Sequence, residues 1–183
     1  YETAAMGAFT TASGDYSTAM GGGASATGDY STATGWNSTA SGTSSTATGW
    51  NSTASGTSST AMGLGTEASG DYSTAMGTGT NASGIVSTAM GYGTNASGDF
   101  STAMGDGTTA KSYVETSIGH HNTDYTPVGA TSWNTGDRLF VIGNGSSATA
   151  KSDAMIVYKN GNTDFYGSVG LNDGQLRLRD ADD

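Results

Sequence analysis

The residues able to do chemistry are few, and their spacing narrows what that chemistry is. His120 and His121 are the only histidines, with Asp124 close behind. Imidazole and carboxylate together are zinc-type donors. Adjacent side chains on a strand point to opposite faces, however, so these histidines are not expected to share an ion within one chain. A solvated junction loop is the expectation, and no metal is assigned. Asp15, Asp29, Asp71 and Asp99 each follow a glycine. Calcium takes about six or more oxygens, and these carboxylates come one to a repeat, so Gly-Asp reads as a turn. Serines are plentiful, but with the two histidines adjacent no Ser/His/Asp set can be assembled from position. A phosphate loop needs a helix N-terminus and usually a lysine, and residues 1–110 contain neither lysine nor arginine. No catalytic residue and no cofactor is expected; the chain does not read as an enzyme.

The formal net charge of −10 points the same way. Nucleic-acid binding needs a basic face, and anionic membrane surfaces attract basic segments. Neither partner fits. No apolar run approaches the ~20 residues of a membrane helix, so no direct membrane insertion is expected. Without cysteine there is no disulfide framework, which suits an exported protein that avoids stray disulfides and also many cytosolic ones. No signal peptide opens the chain, and the ending Asp180-Ala181-Asp182-Asp183 is abrupt, so the sequence reads as a piece of a longer protein.

What must position any functional residue is a repeat. Ser17-Thr18-Ala19-Met20-Gly21 recurs with small changes, closing on Gly7, Gly21, Gly35, Gly49, Gly63, Gly77, Gly91, Gly105 and Gly119 at a spacing of 14 without insertion or deletion. A second phrase, such as Asn81-Ala82-Ser83-Gly84, runs between the copies, and alanine returns every seven residues from Ala5 to Ala110. Gly/Ser/Thr-rich chains often stay disordered, but a linker has no reason to keep phase. Collagen needs glycine at every third position. A coiled coil needs large apolar a and d residues, and a helix with this much glycine loses ~1 kcal/mol at each one. Read as strands, the same letters alternate: Ser17 and Ala19 on one face, Thr18 and Met20 on the other. Glycine after each segment is expected to supply a positive φ or a tight corner. One unit is then two short strands and two corners, one coil of a flattened β-solenoid, with eight coils stacking to roughly 38 Å.

The inside of such a coil is expected to receive only alanine, serine and glycine, too little apolar area to stabilise a single chain well. The larger side chains form an outward column: Met6, Met20, Thr34, Thr48, Met62, Met76, Met90, Met104 and Ile118. An apolar stripe of this kind is an association surface. The outward column of the other strand, Thr11, Ser25, Thr39, Thr53, Glu67, Asn81, Asn95 and Thr109, suits water. Oligomerisation through the methionine face is the expectation.

The unit Ser-Thr-Ala-Met-Gly-x-Gly-Thr-x-Ala-Ser-Gly-x-x over residues 3–119 resembles the head repeat of the trimeric autotransporter adhesins, the YadA-like head, whose units read Ser-Val-Ala-Ile-Gly. The resemblance implies an all-β fold, a left-handed parallel β-roll with three chains around an axis. It places Met6, Met20, Met62, Met76, Met90, Met104 and Ile118 at that axis, with threonine and methionine giving a more polar and pliable seam than valine and isoleucine. It further implies a bacterial surface location. The family's neck motif and four-stranded membrane anchor are not recognisable after residue 119.

From His120 the period stops, and residues 120–183 read as a separate β-rich fibre or tip module after a 1–119 roll. Arg138 to Gly143 reads as a buried strand, Asp153 to Lys159 as a second, and Asn160-Gly161 as a hairpin turn into Asn162 to Tyr166. Asp173-Gly174 turns again into an alternating strand over 175–179. The stretch from Trp133 to Asn162 resembles segments of bacterial surface and phage tail-fibre proteins, which implies a trimeric β-rich module and no particular chemistry.

Two aromatic columns complete the inventory. Tyr16, Tyr30, Tyr72 and Phe100 share one corner position with Val86; Trp36 and Trp50 share another with Leu64 and Tyr92. Such rings either stack on glycans or host proteins or seal seams between protomers. Trp36, Trp50, Tyr92, Trp133 and Tyr166 are the candidate partner contacts. Three functions remain open: a non-catalytic homotrimeric adhesin segment at the cell surface that binds surface glycans or proteins; a phage-like tail or injection fibre with a C-terminal receptor-binding tip; and, from the ranks of threonine and serine hydroxyls, an ice-binding solenoid.

Overall fold

The computed structural model describes residues 2–168; the turn expected at Asp173-Gly174 and the strand expected over 175–179 lie outside them. The described residues are all-β, a parallel solenoid of 14-residue coils followed by a few further strands. Each regular coil holds one five-residue strand, such as Thr74–Thr78, and one two-residue strand, such as Asn81–Ala82. The long strands stack into one sheet and the short ones into an eight-stranded sheet, every neighbour parallel and displaced by one repeat: Ala75 faces Ala61 and Ala89, and Met76 faces Met62 and Met90.

Alanine fills the space between the sheets because nothing larger fits. Every alanine of the seven-residue series from Ala19 to Ala110 is fully buried. Ser17, Ser31, Ser45 and Ser59, each immediately before a long strand, face the same interior. The expectation of an interior limited to alanine, serine and glycine is too narrow. Thr66, Thr80, Thr94 and Thr108 are also buried, as is Glu115. Threonine enters where the column is Ser38 and Ser52 further up the rod, and Thr66 Oγ1 donates to Ser52 Oγ at 3.0 Å. Several of these hydroxyls, including those of Ser17, Ser73, Thr80 and Thr94, have no hydrogen-bond partner. A buried hydroxyl without a partner costs about 1–3 kcal/mol, so the interior of a single rod contributes little net stability.

The glycines work differently from the simple corner expectation. At Gly77, φ is +124°, and a Cβ there would lie 2.0 Å from the carbonyl oxygen of Gly91 in the next coil. This column does need a positive φ. Gly84 does not: its φ is not in the left-handed range, yet a Cβ would come within 2.1 Å of the Gly98 oxygen. Glycine is there for close stacking of backbones, and the left-handed residue of that corner sits two positions later. Tyr16, Tyr30, Ser44, Ser58, Tyr72, Val86, Phe100 and Val114 all carry φ between 53 and 60°. For L-residues that conformation costs roughly 1–2 kcal/mol, and more for a β-branched valine.

Beyond the last repeat the sheet continues. Arg138–Asn144 adds in parallel to Thr116–His120, Asp153–Tyr158 adds antiparallel to it, and Thr163–Phe165 pairs antiparallel with that strand, making twelve strands in this sheet among the described residues. The three strands and the hairpin expected in this stretch are present. Gly143 falls beside Gly119 and Ile142 beside Ile118. The glycine and apolar columns therefore extend one strand past the repeat, across a connection ten residues longer than the usual step.

Candidate binding surfaces

Alternation within each long strand builds the first surface. With Ser73 and Ala75 turned inward, Thr74 and Met76 must face out, and the parallel register stacks equivalent residues. The result is one column: Met6, Met20, Thr34, Thr48, Met62, Met76, Met90, Met104, Ile118 and Ile142. Met20, Met62 and Met104 remain 42–43% exposed, and Met76 and Met90 are half-buried against their neighbours. Thr34 Oγ1 donates to Thr48 Oγ1 at 3.1 Å, a polar break in an otherwise apolar stripe. Ile142 is missing from the sequence reading because it lies 24 residues, not 14, after Ile118.

The corner after each long strand carries a second column: Trp36, Trp50, Leu64, Thr78, Tyr92, Asp106 and His120. Trp36 and Trp50 stack with centroids 5.8 Å apart and both are about half exposed. Tyr92 is exposed on the same column, two coils below Leu64. Tyr16 and Tyr30 stack at 5.3 Å on the other corner, and Phe100 meets the edge of Tyr113. Trp133 lies apart from both columns, in the connection between Thr116–His120 and Arg138–Asn144, with Lys159 Nζ 5.4 Å from its ring centre. Tyr166 follows the last described strand and is exposed. Of the candidate contacts, only Trp36, Trp50 and Tyr92 share a surface.

The Gly-Asp carboxylates act as turn fasteners. Asp29, Asp71 and Asp99 accept hydrogen bonds from the backbone N–H of Asp15, Thr57 and Ile85, one coil earlier, at 2.8–2.9 Å.

The end of the roll is built by side chains that imitate a missing coil. In every regular coil two successive amides, such as those of Ser97 and Gly98, donate to one carbonyl of the next coil. At the last coil the amides of Lys111 and Ser112 have no such carbonyl, and Glu115 Oε2 accepts both at 2.8 Å. Asn122 does the same for the edge of the eight-stranded sheet, its amide accepting from Thr109 N at 2.7 Å and donating to Thr109 O at 2.9 Å. Each stands in a repeat column, Glu115 where serine recurs and Asn122 where Thr108 precedes it. Substitution in a column was therefore the available signal. A polar edge so closed cannot template another strand.

Around Glu115 the cap is a buried polar cluster. Tyr125 Oη donates to Glu115 Oε2 at 3.1 Å, and Arg138 lies over the Tyr125 ring at 4.2 Å while donating to Thr123 O and Oγ1. The Asp137 carboxylate accepts from the Val128 and Gly129 amides. Burial, and then the charge of Glu115, push the Tyr125 phenol far above its usual range. Tyr158 is pushed up to about 12, first by burial and then by Asp164. Burial lowers Lys159, against the pull of Asp137 and Glu115. A phenol with a raised folded pKa lends stability that is complete below its unfolded value near 10 and is lost as pH rises through the folded value. The hairpin around Tyr158 is thus expected to loosen between about pH 10 and 12 and the cap around Tyr125 only above that, with part of the phenolate absorbance at 295 nm appearing only at the upper end of that range and beyond. A single phase near pH 10 for all nine tyrosines would mean the cluster is not formed in solution.

His121 does not continue the strand. Its φ is +41°, so its ring swings back beside that of His120, centroids 4.3 Å apart. The expected opposite-face placement of the two histidines is overturned by that single left-handed residue. Asp124, the carboxylate nearest in sequence, is engaged elsewhere, with Lys151 at 2.6 Å and Lys111 at 3.2 Å. Those lysines, Lys151 first, hold its carboxyl below the usual range. The acid that meets the histidines is Asp106, from the coil above, with Oδ2 3.4 Å from His120 Nε2.

A family model described as the YadA head domain repeat (2 copies) matches residues 2–24, 12–38, 26–52, 40–66, 54–80, 68–93 and 82–108, together more than half of the chain. Comparison with curated proteins gave no match.

Proposed function

Because the chain belongs to the YadA head-repeat family, we propose that it is a non-catalytic rod segment of a homotrimeric adhesin, exposed at a bacterial cell surface beyond the outer membrane. The observation that carries this reading is the methionine column. It is in register over ten strands, apolar in all but Thr34 and Thr48, and left open by a fold whose own interior is too thin to stabilise one chain well. Three copies related by an axis along Met6, Met20, Met62, Met76, Met90, Met104 and Ile118 bury it; Ile142 extends the same seam into the cap. In this reading residues 1–119 form the rod and 120–183 a β-rich module at its end.

The surfaces left for another cell are the corners. Trp36, Trp50 and Tyr92 on one column, with Trp133 and Tyr166 nearer the C-terminal end, are the residues proposed to meet glycans or proteins of the target surface. Exposed stacked rings offer the flat apolar faces on which sugars pack.

Sedimentation equilibrium tests the assembly: the expected mass is about three times the 18.2 kDa of the chain. A monodisperse monomer at micromolar concentration sinks the proposal. Binding of the labelled protein to whole bacterial or host cells, compared with Trp36→Ala/Trp50→Ala, tests the surface. Retention is expected to fall several-fold, and unchanged retention would remove this column as the contact.

A further inference from the structure

We propose that Asp106, His120 and His121 form a site for a zinc-class divalent transition-metal ion where the last regular coils meet the cap. One donor atom from each residue lies within 4.8 Å of the other two. Two ligands at zinc distance and a tetrahedral angle stand roughly 3.3 Å apart, and His120 Nε2 and Asp106 Oδ2 are already at 3.4 Å. No other pair has to close by more than about 1.5 Å.

Three features of the backbone prepare these donors. His120 Nδ1 is hydrogen-bonded to the carbonyl oxygen of Gly145. A carbonyl only accepts, so Nδ1 carries the proton and Nε2 presents its lone pair on the side of Asp106. An imidazole held by its second nitrogen is the arrangement that orients histidine ligands on metals. His121 adopts φ +41°, a conformation that disfavours non-glycine residues, and this brings its ring to the other two donors. Gly107 makes room: a Cβ there would be 2.1 Å from His121 Nδ1, whereas at Gly79 and Gly93 of the same column the space is empty.

The site opens on a cleft of about 310 Å³ lined by Tyr92, Asn95, Thr109, Ala148 and Lys151 besides Asp106 and His121. A fourth ligand, water or a group from a partner, has access from there. Lys151, the cation on this rim, directs its ammonium to Asp124 at 2.6 Å. Two imidazoles and one carboxylate suit zinc, nickel or copper; calcium and magnesium prefer all-oxygen sites. The bound ion ties strand Thr102–Asp106 to strand Thr116–His120 and, through Gly145, to the loop of the cap. It would clamp the junction between the repeats and the C-terminal strands.

Calorimetric titration of zinc chloride into the tag-free, chelator-stripped chain tests the site, with calcium chloride as comparison. The expected result is one zinc per chain with a Kd on the order of micromolar, no calcium binding, and a rise in Tm that a chelator reverses. Asp106→Asn removes one ligand at nearly constant shape, and Gly107→Ala keeps all three donors but displaces the His121 ring. Both are expected to weaken zinc binding at least about tenfold while leaving the circular dichroism of the metal-free chain unchanged. Should a variant fold poorly, the cobalt(II) spectrum of the wild-type chain reads the site directly, through visible bands of tetrahedral intensity. Absence of zinc uptake below about 100 μM, or equal uptake by Asp106→Asn and wild type, overturns the proposal.

Discussion

Gly77→Ala is expected to disrupt the rod, lowering stability by about 4 kcal/mol or more, whereas Gly79→Asn two residues away is expected to change it by less than about 1 kcal/mol. Both glycines have positive φ, so conformation alone does not separate them. At Gly77 φ is +124°, in a region open only to glycine, and the added Cβ would sit 2.0 Å from the Gly91 carbonyl oxygen. That oxygen belongs to the backbone of a coil fixed by its own neighbours. Relief requires separating two stacked coils, and with them the ladder from Thr74↔Thr88 to Thr78↔Tyr92. At Gly79 φ is +61° and nothing lies within 4 Å. Asparagine already occupies the equivalent position at Asn37 and Asn51, with φ 51 and 52°, so the substitution repeats a solution the chain uses. For a chain of this length 4 kcal/mol corresponds to a fall in Tm of very roughly 8–16 °C, measurable by thermal circular dichroism. Similar melting of the two variants would mean that coil stacking is looser than the glycine column requires.

If the chain assembles as proposed, Met76→Asp/Met90→Asp is expected to abolish the trimer at any working concentration. Each methionine contributes roughly 1.5–3 kcal/mol when fully buried, and six are lost around the axis. Six carboxylates then face one another across the former seam, and burying an unpaired charge costs several kcal/mol more. The matched control places the same two charges one residue past strands of the opposite sheet, at the exposed Ser55 and Ser83. Ser55→Asp/Ser83→Asp is expected to remain trimeric with an unchanged sedimentation coefficient. Dissociation by the control and not by the methionine pair would reverse the two faces. Dissociation by neither would place the interface elsewhere, on the aromatic corners.

Most of the roll was legible before any coordinates. A period of 14 without a slip, in residues too small and glycine-rich for a coiled coil, points to a stack of identical coils. Alanine every seven residues then names both inner columns, because a parallel register repeats each residue's environment. The inward threonines were less visible: Thr66, Thr80, Thr94 and Thr108 sit in a corner segment, where strict alternation does not apply. The second glycine column misled for a related reason. Glycine signals either a special φ or a close approach, and Gly84 is there for the approach alone.

The candidate site was legible only in part. Periodicity placed Met76 outward and Trp36 beside Trp50, since both facts follow from one chain step repeated. It could not place Asp106 beside His121, because that contact depends on a reversed φ at one residue. Nor could it show that Glu115 and Asn122 supply the hydrogen bonds of an absent coil, or that Ile142 joins the apolar column across a 24-residue step. The sequence by itself determined the coil, its two faces and the family; the tertiary structure alone decided how the rod ends and what its last corner brings together. The physical reason is that a repeat makes neighbours in space predictable from spacing, while its last coil has no successor, and the groups left unpaired there are satisfied by whichever side chains the irregular chain returns to them.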